Sequence, residues 1–346
     1  MRTVHPPAFH EKLANALEPI RQGIVAQVIF QLFETGIYDC LETSPAAPAT
    51  IADRLGLDVT RLESLVDYCI VEDLIVDYNG ALRATDRLRA FAEFRPWFEL
   101  LVGGYGRTAL EIGSVLANGA LYCSRNTTLV GKGSTGISQF DTIPIVRKLL
   151  HDIDDFDLLV DVGCADAAYI IDLCRSRPAL QAIGIEPNRA AAISAKARIE
   201  DAGLSQRASV EITDFQTYLQ SDATPSPAVS RPACYLMAFV LQEMVAQAGI
   251  SAVTTTLRRL AEGPAKYVVV IEVDYRRRDQ VLLGGLGRAY YNPYFLFHRF
   301  TKQQLLPREQ WEKLFLDAGF RIRDTAQPDL GVDPTRLEVG YLLSAV

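Results

Sequence analysis

At 346 residues, with 49% hydrophobic and 22% charged residues, the chain is long enough for two domains and apolar enough to fill a sizeable core. A net charge of -7 argues against a surface that neutralises nucleic-acid phosphates, because such surfaces need clustered Lys and Arg. The six cysteines (Cys40, Cys69, Cys123, Cys164, Cys174, Cys234) form no CxxC pair, which points to reduced, buried thiols rather than a disulfide framework or a zinc knuckle.

The opening MRTVHPPAFHEKL lacks the apolar centre of a signal peptide, and no run approaches the ~20 apolar residues of a membrane span, so a cytoplasmic protein is expected. Leu13, Leu17, Ile20, Ile24, Val28 and Leu32 recur in steps of three and four, one face of a long helix that packs in its own domain or meets another subunit. Residues 48–86 predict two short helices joined at Gly56, then a strand pair turning at Asn79-Gly80, the layout of a winged helix. The second helix, TRLESLVDYCI, carries Glu63 and Asp67 against Arg61, and Glu72 and Asp73 follow. That acidic face would repel phosphates, so a structural or dimerisation role is favoured over DNA binding. Residues 90–150 predict further helix, broken at LVGKGSTGISQFD, which is glycine-rich, gives no Walker signal and is expected to be a loop near a ligand. The expected organisation is a helical, winged-helix-like dimerisation domain over 1–115, linker helices and a substrate-contacting loop over 116–150, and a catalytic domain over 151–346.

Beyond Leu158, strands and helices alternate, which implies an α/β, doubly wound, mostly parallel sheet. Seven strands are expected: LLVDV (158–162), AIGIE (182–186), ASVEI (208–212), CYLMAFV (234–240), YVVVIEV (267–273), RIRD (321–324) and LEVGYLL (337–343), the last two as an antiparallel closing hairpin. Ligands in such sheets collect at the carboxyl ends of the strands, where Asp161, Glu186 and Asp214 stand. Glu186 follows Asp161 by 25 residues, close to the spacing of a ribose-binding carboxylate. Asp214 with Phe215 would bond an adenine amino group and cover its ring, although a single acid at a strand end is often only a helix cap.

This arrangement resembles the class I S-adenosylmethionine-dependent methyltransferases, whose first motif is usually DxGxGxG. Here it reads Asp161, Gly163, Ala165 and Ala167, one glycine of three. Alanine penalises positive φ by ~1 kcal/mol or more, so the departure weakens cofactor binding without excluding it. The resemblance implies a Rossmann-like seven-stranded sheet behind the helical domain. It also implies that S-adenosylmethionine is held by Asp161, Gly163, Ala165, Glu186, Pro187, Asp214, Phe215 and Phe239.

The phrases FETGIYD, LVGKGS, FVLQEM, AYYNPYFLFHRFT and LEVGYLL look like the 2-oxo acid C-methyltransferases, and the likeness covers nearly the whole chain. A lone histidine in an aromatic run is more often packed than metal-bound. In these relatives, however, a histidine and an acid at the end of strand four hold a divalent metal together with a later histidine. The matching set is His298, Gln242 and Glu243, with Gln242 in place of the first imidazole; it implies zinc or iron and leaves Glu243 as ligand or base. The implied reaction methylates carbon 3 of a 2-oxo acid, 2-ketoarginine (5-guanidino-2-oxopentanoate) first among them, through a metal-chelated enolate with Glu243 and His298 as catalytic residues. Arg125 would take the substrate carboxylate, with Tyr290, Tyr291 and Asn292 as further contacts; Trp97, Tyr105, Asp141, Tyr290 and Tyr291 are candidates for receiving a guanidinium. The expected partners are the small substrate and a second copy of the chain. The alternatives are another oxo acid such as phenylpyruvate or 2-oxoisocaproate, a metal-free O-methyltransferase, or a non-catalytic ligand-binding relative. Gln242 disfavours the O-methyltransferase, because it stands where such enzymes place a catalytic histidine.

Overall fold

The computed structural model describes residues 8–117, 119–221, 232–263 and 265–346. The chain divides into two compact units, Met1–Gly103 and Gly104–Val346. Residues 104–150, which the sequence shared between the first domain and a linker, thus belong with the second unit.

In the first unit the Phe9–Glu34 helix splits the apolar stripe: Leu13, Leu17, Ile20 and Ile24 are exposed, whereas Val25, Ile29, Leu32 and Phe33 are buried. The Pro48–Leu55 and Val59–Val71 helices meet at Gly56, whose φ of 65° is left-handed. Strands β1 (Ile75–Tyr78) and β2 (Ala81–Ala84) pair antiparallel around Asn79 and Gly80. Both turn residues have positive φ, 55° and 83°, as a two-residue hairpin turn of this hand requires.

The second unit is built on β3 (Leu158–Val162), β4 (Gln181–Ile185), β5 (Ala208–Glu211), β6 (Ala233–Ala238), β7 (Ala265–Val273), β8 (Phe320–Ala326) and β9 (Glu338–Ala345). Their order is β5-β4-β3-β6-β7-β9-β8, parallel except for β9, which runs antiparallel between β7 and β8. β3 is buried at every position, as a central parallel strand covered on both faces must be. Alternate residues feed two cores, Leu159 with Ile170 and Val269 on one face, Val160 with Leu257 and Trp311 on the other. The chain winds outward from β3 through β4 to β5 and then returns to β6 on the other side of β3. The switch in direction puts the carboxyl ends of β3 and β6 side by side.

LVGKGSTGISQFD is not the expected loop. Thr127–Ser138 is a helix, opened by Asn126, whose side chain accepts from the Leu129 amide at 3.2 Å. Gly133, Ile137 and Ser138 are buried, so packing outweighs the helix cost of roughly 1 kcal/mol per glycine.

Candidate active site

The turn after β3 is a backbone cradle. Gly163 has φ 73°, and a Cβ there would stand 2.9 Å from Val240 Cγ2, so glycine is required. Ala165 and Ala167 are also left-handed, at φ 45° and 64°. The fold keeps the conformation of a three-glycine turn and accepts strain at both alanines.

Glu186, just past β4, ties the turn down: Oε2 accepts from the Ala165 amide at 3.0 Å and Oε1 from the Asn188 amide at 2.8 Å. Burial raises its carboxyl above the usual range against these two amide bonds. Asp161 is buried, its Oδ2 has no partner, and burial beside Glu186 pushes its carboxyl up to about 8. Pro187 is exposed beside Glu186, and Phe239, half-buried with φ 58°, turns the chain out of β6.

Asp214 stands just past β5 as expected, in the capping role that was its alternative, whereas Phe215 turns inward. Asp214 caps the Phe215–Gln220 helix through Thr217, which bonds both its oxygens, at 2.9 Å from the amide and 2.6 Å from the hydroxyl. Phe215 is buried in the core, edge-on to Tyr235 at 6.3 Å, and does not offer its ring to a ligand.

At the carboxyl end of β6, Glu243 Oε1 accepts from Arg125 Nη2 at 2.7 Å and from Gln303 Nε2 at 3.3 Å, within electrostatic reach of Glu186. Arg125 Nη1 is buried without an acceptor. Tyr105 donates to Gln303 Oε1 at 3.0 Å, and burial pushes its hydroxyl up to about 12. His298 is buried, stacks on Tyr294 with ring centroids 3.6 Å apart, and its Nδ1 lies 2.8 Å from the Tyr294 carbonyl. A carbonyl only accepts, so Nδ1 carries the proton and Nε2 keeps its lone pair. Burial, reinforced by the Arg125 charge, lowers this imidazole to about 3, so it is neutral across the working range.

Of the other expected substrate residues, Tyr290 and Tyr291 are buried, and the Tyr291 hydroxyl donates to Asp333 at 2.6 Å. Asn292 is exposed and is not brought to this cluster, while Trp97 lies in the N-terminal unit. Two acids escaped the sequence reading, Glu272 in β7 and Glu338 in β9, both fully enclosed. Glu272 Oε1 accepts from the Gln242 amide at 3.1 Å and fixes the exit of β6. A lone acid inside each apolar run, YVVVIEV and LEVGYLL, was the available signal.

No family model matches the chain. Among solved structures, the fold is shared with human N-acetylserotonin methyltransferase (TM-score 0.65, 17% identity, covering all of this chain and 99% of that one). It is shared also with the mitomycin 7-O-methyltransferase MmcR (TM-score 0.63, 14% identity, covering 97% and 99%). Among curated proteins, the 2-ketoarginine methyltransferase of Streptomyces arginensis is 37% identical over 339 residues, 97% of each chain. The chain belongs to the 2-ketoarginine methyltransferase family. It is an S-adenosylmethionine-dependent methyltransferase with the class I fold and an N-terminal helical domain.

The residues of this methyltransferase fit its cofactor. Asp161 offers an orphaned buried oxygen, and Glu186, bonded once at each oxygen, keeps lone pairs for ribose hydroxyls. They do not fit the expected metal. Glu243 stands against the Arg125 guanidinium, whose positive charge opposes a metal cation there, and Gln242 Nε2 donates to the Tyr294 hydroxyl at 3.4 Å. Among the described residues, no group of three or more His, Cys, Asp and Glu side chains comes together to hold an ion. The imidazole of His298 and the orphaned Oε1 of Gln242 are too few and too weak as a donor set for zinc or iron. All six cysteines are free and buried, and among the described residues no single helix is long and apolar enough to cross a membrane.

Proposed function

We propose that this enzyme methylates carbon 3 of a 2-oxo acid, 2-ketoarginine first among them, and that it works as a cytoplasmic homodimer through its N-terminal unit. The observation that carries this reading is the Arg125–Glu243 pair at 2.7 Å, a cation and a carboxylate together at the carboxyl end of β6. The sequence relative named as a 2-ketoarginine methyltransferase supports the substrate class.

A substrate carboxylate competes with Glu243 for the guanidinium, and the unpartnered Arg125 Nη1 takes its second oxygen. Glu243, released, removes a proton from carbon 3. Arg125 stabilises the negative charge that develops on the enolate oxygen. S-adenosylmethionine supplies an electrophilic sulfonium methyl when bound. What remains for the protein is alignment, with Asp161, Gly163, Ala165 and Glu186 fixing the donor and Arg125 fixing the acceptor. Neutral His298, with its Nε2 lone pair, is a second group able to receive the proton.

Glu243→Gln is expected to slow deuterium uptake at carbon 3 by about 100-fold or more while leaving cofactor affinity unchanged. Exchange continuing in that variant, but lost in His298→Asn, would transfer the base role to His298.

A further inference from the structure

Two carboxylates outside the cofactor cradle share a buried position without a cation. Asp141 precedes the Thr142–Leu149 helix and is 6% exposed; Glu338 opens β9 and is 2% exposed. Their side chains hydrogen-bond each other, which requires a proton between them, and burial raises both carboxyls, Asp141 to about 6. Among the described residues neither forms an ion pair with a lysine or arginine. Glu338 Oε2 accepts no hydrogen bond, an expensive omission for a buried carboxyl.

A row of rings leads from this pair to the catalytic end. Tyr290 lies within electrostatic reach of both acids and 5.7 Å from Tyr294; Tyr294 stacks on His298, and Tyr105 stands 5.6 Å from His298. Beyond Tyr105 is Arg125, with its unpartnered Nη1. An unmatched acceptor therefore closes one end of the row and an unmatched donor the other, a pattern complementary to a molecule with a carboxylate at one end and a cation at the other.

We propose that Asp141 and Glu338 seat the cationic end of the substrate, a guanidinium whose N–H groups meet Glu338 Oε2 and the shared carboxyl pair while Tyr290 and Tyr294 line its carbon chain. This rests on the 2-oxo acid reading and assigns its side-chain specificity. A guanidinium offers five donors in a plane and takes over the role of the shared proton.

The test uses the full chain saturated with S-adenosylhomocysteine, titrated calorimetrically with 5-guanidino-2-oxopentanoate and with its neutral isostere 5-ureido-2-oxopentanoate. The guanidino acid is expected to bind about 10- to 100-fold tighter, the range of a hydrogen bond to a charged group. Glu338→Gln and Asp141→Asn should each bring the two affinities within about threefold of each other. Equal affinities in the unaltered protein, or a variant that weakens both ligands by the same factor, would overturn the seat and leave the pair a structural tie. The unaltered protein's ratio stands even if one variant does not fold. Methyl transfer is followed separately: a guanidino acid that binds with this preference yet gains no methyl supports the seat and contradicts the catalytic reading, whereas failure of both acids to bind overturns the seat.

Discussion

Asp161 sits where the enzyme holds a carboxyl group in its neutral form. Its folded value of about 8 lies above the roughly 3.9 of an unfolded aspartate, so between these pH values the folded state binds a proton that the unfolded state has released. That contribution to stability is complete below about pH 4 and is lost as pH rises through 8. Asp161→Asn removes the titration, and the apo protein carrying it should lose less melting temperature between pH 5 and pH 8 than the unaltered protein does. Parallel losses would show that Asp161 ionises normally. At this scale the sequence singled out Asp161, Gly163 and Glu186 through their grouping around one tight turn, since a single acid at a strand end, like Asp214, is as readily a helix cap. It was misleading about Phe215, whose ring serves the core, since one aromatic residue after a strand gives no indication of which way it points.

The clearest departure among the elements is the Thr127–Ser138 helix, where local composition and tertiary packing disagree. Three glycines in LVGKGSTGIS read as a loop, yet buried Gly133 and Ile137 and the Asn126 cap hold a helix. Asn126→Ala removes the acceptor for the Leu129 amide and should cost about 1 kcal/mol in chemical denaturation. An unchanged midpoint would mean that packing alone holds the first turn. Strands β3 to β9 were legible because most are short apolar runs bounded by turn residues, and all seven begin and end within two residues of their expected bounds. The acids inside β7 and β9 were not read as functional. A strand pattern shows where a side chain is enclosed but not what it meets across the sheet, and Glu338 acquires meaning only when Asp141, nearly two hundred positions earlier, lies against it.

For the whole molecule, the exposed half of the Phe9–Glu34 stripe argues for assembly. Ile20 and Ile24, at 59% and 49% exposed, continue an apolar face with Leu13 and Leu17 and border a groove with Val28 and Leu65. An exposed apolar face of this kind marks an interaction surface. Sedimentation should show a dimer that Leu17→Glu with Ile24→Glu converts to monomer; a monomeric unaltered protein would remove the homodimer. The division into units was only partly legible, because helices 106–149 carry no sequence mark of which core they join, and they fold with the sheet.

The most direct measurement is mass spectrometry of 5-guanidino-2-oxopentanoate incubated with the protein and methyl-labelled S-adenosylmethionine, with fragmentation to locate the label. The account predicts one labelled methyl on carbon 3, formed equally in the presence of a chelator because no residue step depends on a metal. A methyl on oxygen, no methyl at all in folded protein that binds the cofactor, or a product that the chelator abolishes would contradict it.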